Sequence, residues 1–519
     1  MVTLTTRHRF ATTTLLSSTL LVASCSLAPT YEKPALDMPT AFKEVSASPS
    51  APDEKPPTQA EAGTAPGDWK PAQPAEQAPR GEWWTVFGDP VLNDLEQQAS
   101  AGNQDLKAAA ARVEEARAIT ETTRSQMFPT FDAGFGPTRE RVSPASQFLP
   151  DNASVPSQTL WRAQATASYE VDLFGRVSDS VQASRADSER SQALFRSVQL
   201  VLQADVAQNY FNLRELDAEI GVYTSTVDLR NQALKLAQHR FDAGDVSELD
   251  VAQAKSELAT AQSSEMAVER SRAASEHALA VLLGKVPEHF TIEAHPLEPV
   301  VVTIPPGLPS TLLERRPDIA SAERAMAAAN ARIGVAKSAY FPSLFITGAA
   351  GFESATLGDL FNWSTRAFIL GPLVGTALTV PIFDGGRRKG NLDNSRAVYE
   401  ENVANYRQQV LVAFQEVEDN LSDLRILTTQ TRTQAAAVAA STRAAHLSRT
   451  QYTEGAVNYL EVIDSERTVL QSQLGAVQLS GIQAVSTVRL IRALGGGWGD
   501  AVEQDSAQKT PEPRTSAGG

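Results

Sequence analysis

Arg449-Thr-Gln-Tyr-Thr-Glu-Gly455-Ala-Val-Asn-Tyr-Leu-Glu461-Val-Ile-Asp464-Ser-Glu-Arg467 stands between two very long helical patterns. Its glycine lets the chain reverse, because a residue without Cβ enters the left-handed conformation freely. The same stretch occurs earlier in paler form, Arg240-Phe-Asp-Ala-Gly244-Asp-Val-Ser-Glu-Leu-Asp250. Gly244 and Gly455 are 211 residues apart, so the two stretches mark the hinge of a repeated unit.

Before the first hinge, Val206, Leu213, Ile220, Val227, Leu234 and Phe241 recur at sevens. A sustained seven-residue period predicts coiled-coil packing against neighbouring helices. The helix that carries it, opened by Phe174-Gly-Arg176, is expected to run some 65 residues, about 100 Å at 1.5 Å per residue. A returning helix runs from Glu248 to Leu283. In the second half, Val403, Val410, Val417 and Leu424 lead into the hinge, and Ile463, Leu470, Val477, Ala484 and Ile491 lead out of it.

Each long helix is preceded by strand-like sequence. From Trp161 to Leu173 every odd position is apolar, and every even position from Arg162 to Asp172 is polar. This period of two predicts a strand with one apolar and one wet face. In a soluble sheet the apolar face would meet a core; in a membrane barrel it would meet lipid. Shorter helices, over 89–127 and from Leu312 to Tyr340, end at Phe128-Pro129 and Phe341-Pro342. Each half therefore reads helix, β-hairpin, very long helix, return helix. The expected first repeat is 81–284, with strands near 129–142 and 159–174 and a long hairpin over 175–284. A linker over 285–308 precedes the second repeat, 309–497, with strands near 342–353 and 367–383 and a long hairpin over 385–494. A disordered tail, 498–519, is expected to close the chain.

The N-terminus reads as an export signal, 1–24. Arg7, His8 and Arg9 precede an apolar run from Leu15 to Val22, and Ala23-Ser24 lead to Cys25. Small residues ahead of the chain's single cysteine resemble the bacterial lipoprotein signal, in which Cys25 becomes the acylated N-terminus. Residues 25–80 would then be an acylated, Pro-rich extension with too few large apolar residues for a core of its own. From Cys25 onward, 44 basic residues face 61 acidic ones, a net charge of −17, which argues against nucleic acid. Six scattered His and one Cys give no disulfide framework and no zinc cluster. The reading implies no cofactor. No stretch after the signal approaches the 18 or so apolar residues of a membrane helix, so a membrane would be spanned by strands. Four strands cannot close a barrel, and an open edge is not tolerated in lipid. Three chains would supply twelve strands, with the helices lining a tube below them.

Leu312-Leu-x-Arg-Arg-Pro-Asp-Ile-x-x-Ala-Glu, Ala331-Arg-Ile-Gly-Val-Ala and Phe341-Pro342 together resemble the hallmark of the outer-membrane efflux proteins, the TolC/OprM family and its NodT-like lipoprotein branch. Gly455-x-x-x-Tyr-Leu-x-x-x-Asp464-x-x-Arg467 is similar to the same family's tip motif. The resemblance spans roughly 80–495. It implies a mainly α chain with a transmembrane β part, assembled as a homotrimeric 12-strand barrel on a long periplasmic α-helical barrel. It also implies partners: a periplasmic adaptor and an inner-membrane pump, usually proton-driven, that expel drugs or other small molecules across the Gram-negative outer membrane. A periplasmic iris is implied at Glu461, Asp464 and Arg467, with Asp250 as the counterpart in the first repeat. Glu461 and Asp464 share a helix face, so three copies would ring six carboxylates around the axis. An ion pair of Arg467 with Asp464 or Asp250 is the expected latch. Gly244, Val246, Gly455 and Val457, at the exposed turns, are the expected adaptor contact. Arg315-Arg316-Pro317-Asp318 reads as a structural helix start, and Asn362-Trp363 as an interfacial anchor.

Other classes fit less well. No nucleophile, phosphate loop or His-carboxylate cluster suggests an enzyme. A lipid-anchored periplasmic adaptor would have one coiled-coil hairpin rather than two. Within the family, a channel for type I polypeptide secretion is the nearest alternative; the acylated Cys and the Arg-Arg-Pro-Asp signature favour small-molecule efflux.

Overall fold

The computed structural model describes residues 26–34, 42–46, 82–150, 152–298, 315–371 and 377–496. Cys25, the signal, the tail and residues 299–308 of the expected linker lie outside them. Helices α1 (Pro90–Gly102) and α2 (Gln104–Ser125) lead into strands β1 (Thr130–Glu140) and β2 (Gln158–Val171). Helices α3 (Arg176–Asp242) and α4 (Glu248–Leu282) complete the first half. The second half has α5 (Pro317–Ser338), β3 (Ser343–Ser354), β4 (Arg366–Leu370), β5 (Leu378–Thr379), α6 (Arg387–Thr453) and α7 (Tyr459–Ala493). Helices α3 and α6 are both 67 residues long, and α4 and α7 are both 35. All four of their boundaries repeat at an offset of 211, so the duplication is kept to the residue in the long hairpins. Upstream the offset is 213, from α2 to α5 and from β1 to β3.

Local chemistry sets these bounds. The Asp89 carboxylate accepts from the amides of Val91 (2.8 Å) and Leu92 (3.2 Å), with Pro90 at the first helical position. Asn103 separates α1 from α2 and does two jobs, accepting from Leu106 N and donating to Leu282 O, each at 2.9 Å. Proline 317 opens α5. Arg316 beside it is only 6% exposed and bonds Asp318 (2.6 Å), Glu416 (2.6 Å) and the Ala493 carbonyl (3.0 Å). Burial alone would raise the Asp318 pKa; the Arg316 guanidinium, the Ile319 amide and Gln409 outweigh it and hold the carboxyl below its ordinary value.

Among the described residues, those within Met1–Pro34, Arg112–Ser191 and Ala322–Tyr406 form one compact unit, built on the sheet. The strand order is β1-β2-β3-β4, all antiparallel, with β5 also on β3. The expected single strand over 367–383 is thus in two pieces. Between Leu370, opposite Gly348, and Leu378, opposite Leu344, lie seven residues against three on β3, so one continuous register is impossible; residues 372–376 lie outside the described set. Ala163 of β2 faces Phe135 on one side and Phe352 on the other, and Ala165 faces Ala133 and Ala350. Most of the large apolar side chains therefore share one face, with Phe345 and Ile369 on the other and Arg366 on the apolar one. No core fills it: Phe131, Phe135, Phe368 and Leu370 are 63–87% exposed. On the wet face Arg162 bridges Glu353 (2.8 Å) and Glu140 (3.3 Å), tying three strands together. In the same unit, residues 26–34 lie on the helices. Ser26 donates to Asp179 (2.6 Å), Asn330 to the Pro29 carbonyl (2.8 Å), and Lys33 pairs with Glu323 (2.8 Å).

The second unit holds the described parts of Ala35–Ala111, Gln192–Ser321 and Arg407–Gly519. Its core gathers Trp83, Trp84, Leu92 and Leu95 with Val206 and Leu213 of α3 and Ala484, Val488 and Ile491 of α7. The heptad positions are thus buried here, while Ile220, Val227, Leu234, Leu470 and Val477 further along are half-exposed. An apolar seam left half-open over that length has room for helices of further copies. Helix α7 is long and apolar enough to cross a membrane, with a window of mean hydropathy 1.2, half of it buried. That departs from the expectation of no such stretch, and the seam explains it: its apolar residues pack against α3. Phe42 (2% exposed) inserts beside Phe414, and Glu418 accepts from the amides of Lys43 (2.7 Å) and Glu44 (3.1 Å). The described pieces of the N-terminal extension therefore lie against the fold.

Candidate functional site

The two hinge turns are built alike. Helix α3 ends with Gly244 at φ +82°, the Asp245 amide donating back to the Arg240 carbonyl (2.8 Å). Helix α6 ends with Gly455 at φ +78°, the Ala456 amide donating to the Gln451 carbonyl (2.8 Å). Both are six-to-one closures around a left-handed glycine. The return helices restart at equivalent caps. Asn458 accepts from the Glu461 amide (3.2 Å), and the Asp250 carboxylate takes the Ser247 amide (3.1 Å).

A small core under the turns binds the two hairpins into one tip. Ala237, Val251 and Ala254 of the first repeat pack with Tyr452, Tyr459, Val462 and Ile463 of the second. The Arg240 guanidinium lies 4.9 Å from the Tyr452 ring and donates to the Tyr452 carbonyl (3.3 Å). Burial pushes the Tyr459 hydroxyl up to about 12, with Glu466 adding to the effect.

The expected charged residues separate into two kinds. Glu461, Asp464 and Arg467 are all exposed along one side of α7. Asp250 is occupied at its helix cap, which removes it as a partner for Arg467. Nor is Asp464 the partner. Arg467 makes a two-pronged pair with Glu257 of α4, its Nε lying 3.3 Å from the carboxylate. The physical reason is geometric: Asp464 is one turn back on the same helix, whereas Glu257 projects from a facing helix and meets the guanidinium fork edge-on. Glu257 is itself held by Arg230, with its carboxylate at 3.0 Å and its backbone carbonyl at 2.7 Å from the guanidinium. Arg230 and Glu257 side chains are 6% and 10% exposed, that of Arg467 61%. The cluster is a fixed buried pair with one outer, solvent-facing arm. The Glu257 hydrogen bond, ahead of its charge, raises the Arg467 pKa. A second tie, Arg449 to Glu466 (2.7 Å), joins α6 to α7.

Of the expected turn contacts, Gly244 and Gly455 are exposed, while Val246 is half-buried and Val457 packs on the tip core. The most exposed large apolar side chains at the tip are instead Leu249 (63%) and Leu460 (58%), which occupy equivalent places in the two repeats. Sequence reasoning missed this pair and Glu257. Their 211-residue offset could have flagged the leucines. Glu257 has no counterpart signal, because Thr468 stands at the equivalent place. Among the described residues no group of three His, Cys, Asp or Glu could hold a metal ion.

A duplicated chain whose open-edged sheet exposes an apolar face and whose long helical hairpins end in a charged tip has the build of an outer-membrane channel subunit. The family model described as outer membrane efflux protein matches residues 95–285 and 308–496, and the chain belongs to that family. It is 34% identical over 484 residues to the toluene efflux pump outer membrane protein TtgF of Pseudomonas putida, covering 93% of this chain and 96% of that one. It is 31% identical over 483 residues to the cation efflux system protein CusC of Escherichia coli, covering 92% and 97%. The solved outer-membrane channel OprN superposes with a TM-score of 0.79 at 27% identity, covering 91% of this chain and all of that one.

Proposed function

We propose that three copies of this chain close a twelve-stranded barrel in the outer membrane and serve as the exit conduit of a tripartite efflux system for small molecules. A periplasmic adaptor and a pump of the proton-driven type deliver the cargo. The observation that supports this reading best is the four-position sheet with two free edges and an apolar face 63–87% exposed at Phe131, Phe135, Phe368 and Leu370. In lipid such edges are satisfied only by closure on further copies. Named relatives handle toluene in one case and cations in another, so the family scaffold does not fix the cargo.

In this reading the repeats are 81–284 and 309–497, Cys25 carries the acyl chains, and roughly 0.8 kcal/mol per buried CH₂ makes a multiply acylated anchor firm. The exposed Glu461 and Asp464 ring the periplasmic opening, and Arg467, held back by Glu257, sets its width. The turns at Gly244, Val246, Gly455 and Val457, together with Leu249 and Leu460, meet the adaptor.

The experiment is single-channel conductance of the purified protein in a planar bilayer, with its oligomeric mass measured alongside. The expected result is a trimer with small cation-selective channels that widen in Glu257→Gln and lose cation preference in Asp464→Ala. A monomer without conductance would overturn the conduit; a conducting trimer unaffected by both substitutions would overturn the gate alone.

A further inference from the structure

Both strand-connecting loops leave the same end of the sheet, since Glu140 faces Gln158 and Trp161 faces Ser354. Each offers aromatic surface to solvent. In the β1–β2 loop, a short 3-10 turn over Pro144–Gln147 closes on Phe148, whose neighbour Leu149 donates to the Pro144 carbonyl (3.0 Å). Phe148 has φ +58°, the only positive φ outside glycine among the described residues, and its side chain is 99% exposed. Glycine would take this place without strain, so a bulky ring here is held against both its backbone preference and its hydration. The β3–β4 loop is a folded platform. Asp359 accepts from Thr356 (2.7 Å) and Asn362 (3.0 Å), Thr365 donates to the Leu360 carbonyl (2.6 Å), and Leu360 is fully buried. On it Arg366 covers one face of Trp363, and Phe361 packs against Phe352, yet Trp363 and Phe361 remain 75% and 69% exposed.

These two surfaces sit at the two free edges. Strand β1 is one edge; β4 and β5 together form the other. Closing the barrel sets β1 of one copy antiparallel to β4 of the next, because β1 runs toward the loop end and β4 away from it. That pairing brings the loop that follows Glu140 beside the residues that precede Arg366. We infer that Phe148 docks on the partner subunit's Trp363 and Phe361, making an aromatic clasp at each of the three seams on the outer rim of the channel. The inference rests on the trimeric reading above. It assigns the strained, exposed phenylalanine an occupant that the chain alone does not provide: a second copy of itself.

The test replaces Phe148 with the photoreactive p-benzoylphenylalanine in the full-length protein and irradiates isolated outer membranes, with native mass measured on the same preparation. The expected product is a dimer-sized adduct whose crosslink maps to residues 354–366. An adduct to lipid, an adduct within one chain, or no adduct while the trimer remains intact would overturn the clasp and leave the trimer standing. A monomeric mass would overturn both. Phe148→Gly relieves the positive-φ backbone and leaves the strands untouched. The expected result is a trimer that dissociates in detergent at a lower temperature than the wild type, and an unchanged temperature would count against the clasp.

Discussion

At the scale of single residues, the side chains that matter most are those whose surroundings contradict their chemistry. Glu96 is the extreme case: it lies on α1 among Leu92, Leu95 and Ala99, is fully buried, and neither carboxylate oxygen has a hydrogen-bond partner among the described residues. Desolvation pushes its pKa up to about 9. The folded chain thus keeps Glu96 protonated where the unfolded chain, with an ordinary value near 4.5, releases the proton. Between those values the unfolded state binds fewer protons, so stability falls as pH rises and levels off above the folded value. Replacing Glu96 by the similarly sized Met is expected to remove that slope. The variant should exceed wild type by about 4 kcal/mol near pH 8, with the gap closing toward pH 5, as read by urea unfolding in detergent across pH. Parallel pH profiles for the two proteins would show that Glu96 is ionised or solvated in the fold. Nothing in the sequence marks this residue, since a Glu at that spacing on an amphipathic helix ordinarily points to water; only tertiary packing turns it inward.

At the scale of elements, the legible part of the chain was the part governed by period and by local caps. The 211-residue repeat, the seven-residue seams and the thirteen-residue alternation from Trp161 to Leu173 each follow from geometry that neighbouring residues share. The glycine turns were likewise readable, because such a cap is satisfied within a few residues of itself. What escaped was non-local. The Arg467 partner lies 210 residues away on another helix, and no spacing rule selects Glu257 over Asp464. The break between β4 and β5 escaped because unequal residue counts on paired strands show only when both strands are seen. The turns themselves permit a clean test. A Cβ added at Gly455 would meet nothing within 4 Å, so Gly455→Ala adds conformational strain at φ +78° without a clash. The expected cost is about 1 kcal/mol, seen as faster amide exchange in Tyr452–Tyr459 with the rest of α6 and α7 unchanged. Unchanged exchange at the tip would mean that the turn is not held left-handed.

At the scale of the whole molecule, the strongest claim is that one face of the sheet meets lipid and the other a polar interior. Adjacent residues of β2 separate this from a sheet face that is merely surface. Ala165 faces Ala133 and Ala350 on the apolar side, near the middle of the fourteen-residue strand. Thr166, its neighbour, points to the opposite side with Asp132 and Ala349 opposite it, on the face that carries Arg162. An arginine near the midplane on a lipid face costs roughly 2–4 kcal/mol, whereas one in a polar lumen costs little and changes ion selectivity instead. Ala165→Arg is therefore expected to lower folding into liposomes by a factor of ten or more. Thr166→Arg should fold with near wild-type yield and shift conductance away from cations. Measuring both in bilayers of increasing hydrocarbon thickness sharpens the comparison, because the Ala165→Arg penalty grows as the midplane moves further from water and the Thr166→Arg effect does not. Equal losses for the two substitutions would mean that both faces are packed against protein, and the lipid-facing assignment of the sheet would fall with that result.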